Sequence, residues 1–415
     1  MAKKKLLFFS IFIIIILVFV LTVYNIIYKN NNIYLNNKDE APNFISIMLE
    51  ETAGSGEYKV SKSNKWPSKG YVFNKEMSYC NNGSTLTWNE NDNSVSVNIN
   101  KTDKCQVYFD IQPTLVEYVI SQYTGTQGGN GIYYHNSTLA NGAGDNSYRY
   151  AGPSDSVNNF VCFGTKANPC PTDNLYRIIG VMDGKVKLIK YDYANDNLLG
   201  TDGDYYGSDA PDASYYKGSL TTINTYYWNN ATKTNTWSES NLNKVNLNTN
   251  YINNIGITWA NKIATTTWKV GNGSIDKISF SVPKTAYQNE VGSSASTITY
   301  DAKIGLMYAS DYYYAAGPSA WTLVGYNYND ATNDYRAATS INWIHMGMHE
   351  WIISRDSYYS DKAYYASKPG FVTSYYVIGS EYYNLFGARP SFNLLSSITY
   401  VSGSGSMSDP IRITD

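Results

Sequence analysis

A run of 22 residues, Leu6 to Ile27 (LLFFSIFIIIILVFVLTVYNII), follows Lys3, Lys4 and Lys5 and is broken only by Ser10, Thr22, Tyr24 and Asn25. As a helix rising about 1.5 Å per residue, such a run spans roughly 33 Å, enough to cross a hydrocarbon core of about 30 Å. Its Leu, Ile, Val and Phe residues each favour insertion by about 0.3 to 0.6 kcal/mol, which outweighs one Asn near its end. No A-x-A-type cleavage site follows, so residues 1–28 are expected to be a cytoplasmic tip and an uncleaved transmembrane helix rather than a secretory leader. The lysines before the run keep the N-terminus in the cytoplasm and send the rest across. The expected localisation is the cell membrane, single-pass, with the bulk of the chain extracytoplasmic.

Four cysteines suit that oxidising location. Cys80 and Cys105 have 24 residues between them, and Cys162 and Cys170 have seven. Two local bridges are the simplest of the three pairings, and closing the first loop adds roughly 3 kcal/mol by restricting the unfolded chain. A metal site is the alternative, but no C-x-x-C occurs and the three His lie elsewhere. A net charge of −2, from 32 basic and 34 acidic residues, gives no electrostatic footprint for nucleic acid. The 41 tyrosines are the compositional outlier. Each ring offers large contact area behind a polar tip, which suits a binding surface. A low-GC codon bias, which also enriches Asn and Ile, is an equal explanation.

Residues 29–43 are Asn-rich and read as a spacer. Over residues 44–111, short runs of β-branched and aromatic residues predict a small all-β domain, in which Ser84–Glu90 and Ser94–Asn100 alternate as a hairpin does. A body that small has a thin core, where a disulfide helps most. Residues 112–415 form the larger domain. Its opening stretch, PTLVEYVISQY, places Leu115, Val119 and Ile120 on one face of a short helix. Leu175–Met182 and Lys185–Asp192 are apolar strands joined at Asp183-Gly184, a strong hairpin signal. The stretch SESNLNKVNLNTNYINNIG predicts a helix with Ser238 or Ser240 as its cap. Later runs read as strands or strand–helix alternations, and the chain closes with two strand-like runs around a Gly-Ser turn.

Four spaced landmarks carry a resemblance. They are LYRIIGVMDGKVKLIKYD; EWIISRD, holding Trp351 and Arg355; YYASKPGFV, with Gly370 and Val372; and FGARPSFNL, with Gly387, Arg389 and Pro390. In this order, over roughly residues 113 to 415, they resemble an uncharacterised family of bacterial extracytoplasmic domains, domain of unknown function 6273. Members of that family usually read G-V-R-P where this chain has Gly387-Ala388-Arg389-Pro390. The last three landmarks also look like the core of the C-type-lectin-like fold shared with formylglycine-generating enzymes and retroelement-diversified receptors. The resemblance implies a large α+β domain of C-type-lectin-like type. The enzymes of that fold oxidise a substrate cysteine with cysteines in their C-terminal half. No Cys follows Cys170 here, so formylglycine generation is not implied.

On physical grounds Trp351, Phe386 and Phe392 supply buried area, while Arg389 beside Pro390 needs a carboxylate or carbonyl partner if it is buried. Trp351, Arg355, Gly387, Arg389 and Pro390 are therefore read as structural core. Function is expected in loops that a rigid core displays. Residues 356–383 present Tyr358, Tyr359, Tyr364, Tyr365, Tyr375, Tyr376, Tyr382 and Tyr383 among Ser, Gly and Asp, the composition of an adaptable binding surface. These eight tyrosines are the candidate ligand-binding residues.

Other chemistry is weakly signalled. His345 and His349 in HMGMHE lack the zinc-protease order, because Met346 stands where Glu follows the first His. No metal ligand is assigned. Asp192, Asp196, Asp202, Asp204, Asp209 and Asp212 lie in one segment, and oxygen-rich loops hold extracellular calcium, yet no complete EF-hand spacing is present. Calcium is thus a weak candidate beside a solvated acidic loop, and no other cofactor is expected. No G-x-S-x-G elbow marks a nucleophile, and no catalytic residue is assigned. The expected function is a membrane-anchored, receptor- or adhesin-like protein that binds an extracellular protein or glycan. Two alternatives stay open. One is a cell-wall carbohydrate-active enzyme with two carboxylates about 5 to 9.5 Å apart. The other is a structural envelope protein with its tyrosines buried.

Overall fold

The computed structural model describes residues 44–63, 66–67, 70–89, 94–98, 103–271, 273–379 and 386–414. The chain divides into two compact units between Gln112 and Pro113.

In the first unit, the strands are β1 (Phe44–Glu50), β2 (Tyr58–Val60), β3 (Tyr71–Cys80), β4 (Thr85–Asn89), β5 (Ser94–Asn98) and β6 (Lys104–Ile111). One sheet has the order β2-β1-β6-β3, with β1 parallel to β6, and β4 and β5 form a separate hairpin. Alternation along β6 buries Cys105, Val107 and Phe109 on one face. Trp88 of β4 stacks on Phe73 of β3 at 5.5 Å and meets Phe109 edge-on, which closes a small aromatic core. Cys80 and Cys105 sit opposite each other across β3 and β6 and are joined by a disulfide.

The second unit opens with α1 (Leu115–Ser121). Thr114 and Glu117 cap it reciprocally, the Glu117 amide donating to the Thr114 hydroxyl at 3.1 Å and the Thr114 amide to the Glu117 carboxylate at 2.8 Å. The principal sheet contains β7 (Ile132–Tyr134), β8 (Tyr148–Tyr150), β9 (Phe160–Cys162), β10 (Leu175–Met182) and β11 (Lys185–Lys190), the last two joined at Asp183-Gly184 with both residues at positive φ. β10 changes partner along its length: Leu175–Arg177 pair with β9, whereas Gly180 and Val181 pair with β8. The switch needs glycine, because a Cβ at Gly180 would lie 2.2 Å from the Tyr148 carbonyl oxygen. A second disulfide joins Cys162 to Cys170.

Beyond these come β12 (Tyr205–Asp209), β13 (Ile223–Tyr226), β14 (Thr266–Lys269), α2 (Pro283–Glu290), β15 (Thr299–Ala302) and α3 (Ala309–Tyr314). The expected helix after Ser240 is a widened π-helical segment, Leu242–Tyr251, and the Ser240 hydroxyl accepts the Asn243 amide at 3.1 Å. The last strands are β16 (His349–Arg355), β17 (Lys362–Ala366), β18 (Val372–Tyr376), β19 (Phe386–Gly387), β20 (Ser391–Asn393), β21 (Tyr400–Ser402) and β22 (Arg412–Ile413). β20 extends the principal sheet beside β11, and a second sheet has the order β18-β17-β16-β19.

Two sequence expectations are corrected here. The α+β assignment gives way to a mostly β architecture spread over several small sheets. Its α-helices are short, α2 being eight residues, because Asn, Gly, Thr and Tyr supply few strong helix formers. The second correction concerns the N-terminal transmembrane helix and the single-pass membrane localisation. Among the described residues no helix is long and apolar enough to cross a membrane. The Leu6–Ile27 run and the spacer lie outside the described residues.

Candidate functional site

The tyrosine-rich segment is not a loop but a hairpin built from β17 and β18, and this divides its tyrosines into two sets. β17 lies between β16 and β18, and Ala363, Tyr364, Tyr365 and Ala366 are buried in succession, so both of its faces are covered. Tyr364 is fully buried and its hydroxyl donates to the Gly273 carbonyl at 2.8 Å. Tyr365 is buried edge-on against Phe386, ring centroids 5.1 Å apart. Tyr375 is half-buried against the same cluster. The reading of Tyr364 and Tyr365 as ligand contacts is therefore corrected: they are core residues, because they point to opposite faces of β17 and both faces pack against the core. Tyr382 and Tyr383 lie outside the described residues.

The other three project from the rigid frame. Tyr358 is 77% exposed, Tyr359 52% and Tyr376 45%. The turn before β17 is held from both sides. Asp356 accepts the Tyr358 amide at 2.9 Å and the Ser374 hydroxyl at 2.6 Å. The Asn235 side-chain amide donates to the carbonyls of Asp356, Tyr359 and Lys362, each at 2.7 Å. Lys362 places its ammonium 4.0 Å from the centre of the Tyr359 ring and 5.0 Å from that of Tyr376. Such cation–π contacts hold two rings at one cation for about 0.5–1 kcal/mol each at exposed sites. The result is a preorganised surface of three aromatic faces and one positive charge. Asn235, which anchors it from 121 to 127 residues away, carried no signal in a chain rich in Asn.

Among the landmark residues, Trp351, Gly387, Arg389 and Pro390 are buried and Arg355 is half-buried at the end of β16. Trp351 stacks on Phe386 at 4.0 Å and donates its indole N–H to the Tyr226 carbonyl at 2.7 Å. Arg389 is paired with Glu350 and also donates to the carbonyls of Tyr191 and Ile344. Arg355 donates to the Gly271 carbonyl at 3.2 Å. Gly387 lies against Tyr193, whose ring a Cβ would approach to 2.4 Å, and Pro390 is buried beside it.

Five of the six aspartates of the acidic segment turn to separate partners, Asp209 accepting the Ala210 amide at 2.7 Å. Asp192 accepts the Tyr216 hydroxyl, Asp212 pairs with Lys368 at 2.9 Å, and Asp202 accepts the Asn250 amide at 2.6 Å. Asp204 accepts the amides of Asn230 and Leu242, and burial pushes its carboxyl up. Among the described residues, the one group of three His, Cys, Asp or Glu side chains at ligand spacing is Cys80, Asp103 and Cys105. Its two sulfurs are in a disulfide and so offer no thiolate. Burial pushes Asp103 up, but hydrogen bonds from Ser84, Asn82 and Lys104 outweigh it and hold the carboxyl at about 2. His345 shares a 3.0 Å hydrogen bond with Tyr312, and His349 accepts the Lys368 amide at 3.2 Å.

Neither a family model, nor a curated protein, nor a solved structure matches this chain.

Proposed function

We propose that the protein is a binding module that holds an extracellular protein or glycan ligand against the surface of Tyr358, Tyr359 and Tyr376, with Lys362 between the rings. One observation supports this reading above others. Three large aromatic side chains are kept in water, Tyr358 and Tyr359 on a turn that Asn235 and Asp356 hold and Tyr376 at the end of β18. A ligand meeting preordered rings loses less side-chain entropy on binding, and tyrosine presents both a π-face for sugar C–H groups and a hydroxyl for hydrogen bonds. Lys362 adds charge selectivity at the centre. The two disulfides suit a protein that works in an oxidising compartment.

The structural reading draws on a different observation, the large share of tyrosines in the core, Tyr176, Tyr251, Tyr313 and Tyr335 among them. The two readings separate in one experiment. The full-length protein and its Tyr358→Ser/Tyr359→Ser/Tyr376→Ser variant are screened on glycan and surface-protein arrays. Binding that the variant loses at unchanged melting temperature supports a receptor, and an array with no binder favours the structural protein.

A further inference from the structure

The larger unit contains a second feature that the tyrosine surface does not use. A cavity of about 560 Å3 is lined by residues of β8, the β10–β11 hairpin, β14 and the start of α3. That volume falls within the roughly 300–1,000 Å3 of small-molecule sites.

Its most buried lining is charged. Lys187 of β11 donates to Asp311 Oδ2 at 2.5 Å, and Arg149 of β8 brings Nη1 within 3.6 Å of Asp311 Oδ1. Arg149 also donates through Nη2 to Asp145 at 2.7 Å and through Nε to Ser147 at 2.8 Å. Lys187 and Arg149 are each 4% exposed. At the mouth stand Lys185, Lys269 and Asp183, so four cations face three carboxylates.

The donors outnumber their acceptors. Lys187 has three N–H groups and Asp311 takes one, while Arg149 has five and Ser147 and Asp145 take two at hydrogen-bond distance. Lys187 also faces the rings of Tyr308 and Trp268, at 4.6 and 5.3 Å, and Arg149 those of Tyr287 and Tyr314, at 5.4 and 5.3 Å, which leaves N–H groups of both with capacity for the oxygen atoms of a ligand. The wall beside them is neutral and polar: Asn393 donates to the Thr266 hydroxyl at 3.0 Å beside Thr265, while the Thr267 hydroxyl donates to Asp301 at 2.6 Å. Hydroxyl and amide groups of this kind pair with hydroxyls. One excess positive charge selects a monoanion.

We infer that this cavity binds a small, singly anionic, hydroxyl-rich molecule of the sugar-acid class. Its carboxylate meets the remaining N–H groups of Lys187 and Arg149, and its hydroxyls meet the threonine wall and Asn393. The inference rests on the cavity alone and is independent of the tyrosine surface.

Calorimetric titration of the full-length protein with glucuronate, glucose and acetate tests it. Glucuronate is expected to saturate one site, with glucose and acetate each at least about tenfold weaker, a loss of roughly 1.4 kcal/mol or more. Arg149→Lys is expected to weaken glucuronate by about tenfold, since a lysine cannot reproduce the guanidinium fork. Should that variant fail to fold, Lys269→Gln and Asn393→Ala at the mouth and wall decide, each expected to weaken glucuronate by at least about threefold. The triple tyrosine variant is expected to bind glucuronate unchanged. Glucose binding as tightly as glucuronate, no glucuronate binding at concentrations on the order of 10 mM, or mouth and wall variants that bind normally would each overturn the assignment.

Discussion

Glu350 and Arg389 meet through two parallel hydrogen bonds, Nε to Oε1 at 2.8 Å and Nη2 to Oε2 at 2.7 Å, with both side chains buried. The guanidinium also donates to the carbonyls of Ile344 and Tyr191, at 2.6 and 3.2 Å, so the pair ties β16 to two other segments of the core. Removing one partner strands the other charge, which costs about 3–5 kcal/mol. Glu350→Gln and Arg389→Met are therefore each expected to lower unfolding free energy by that amount in urea titrations. The Glu350→Met/Arg389→Met double variant is expected to be more stable than the sum of the single losses implies. Single losses below about 1 kcal/mol would remove the pair from any central role.

Burial holds all three imidazoles in their neutral form. His135 and His345 are pushed down to about 3, with Arg149 near the first and Lys217 and Arg389 near the second adding to the effect, and His349 beside Lys368 to about 4. Between these values and the unfolded value of about 6.5, the unfolded chain binds more protons than the folded one. Their contribution is thus complete above pH 6.5 and falls as pH drops. At pH 5 the loss is about 2 kcal/mol per ring. Glu290 and Glu350, pushed up by burial, act in the opposite sense, so the informative quantity is a difference. His345→Gln is expected to reduce the stability change between pH 7.5 and 5 by about 2 kcal/mol. An unchanged pH profile in that variant would mean that the ring titrates alike in the folded and unfolded chain.

The two sets of tyrosines are expected to respond differently to substitution. Tyr364→Phe removes the hydroxyl that serves the buried Gly273 carbonyl and is expected to cost about 1–3 kcal/mol. Tyr358→Phe, at an exposed ring, is expected to stay within about 0.5 kcal/mol of the parent. Denaturant titration of both variants checks the division, and equal effects would contradict it.

Among the described residues, the buried hydrophobic cluster of the first unit consists of Ile47, Val95, Val107 and Phe109. Its disulfide closes a sequence separation of 25, which the chain-entropy model values at roughly 3 kcal/mol. Cys80→Ser/Cys105→Ser is expected to unfold β3 and β6 selectively, read as lost hydrogen-exchange protection in those strands with β10 and β11 still protected. Protection retained in β3 and β6 would show that the small aromatic core suffices.

Local signals in the chain carried much of this fold. The Asp183-Gly184 turn needs two residues that tolerate positive φ, so its hairpin was legible. The capping of α1 by Thr114 and Glu117, and the β4–β5 pair, follow from patterns a few residues long. Where strand runs are absent, local context is ambiguous: KISFSVP reads as a strand or as part of a strand–helix alternation, and residues Ile275–Ile278 are helical with Pro283 opening α2. Period-two and buried-helix patterns cannot be told apart in so short an apolar run.

What the sequence determined by itself was therefore nearest-neighbour geometry, namely turns, caps, strand alternation and the local pairing of four cysteines. Which tyrosines reach solvent was decided only by tertiary structure. Tyr358 and Tyr364 have the same chemistry and similar neighbours, but one sits on a turn and the other on a strand covered on both sides. The same holds for the charged cavity, where Lys187 meets Asp311 from 124 residues away. A lysine flanked by Val186 and Leu188 in a strand announces that it needs a partner, but nothing in the chain names one. Burial and pairing at that range depend on how sheets stack, and stacking is a property of the whole core rather than of any window of residues.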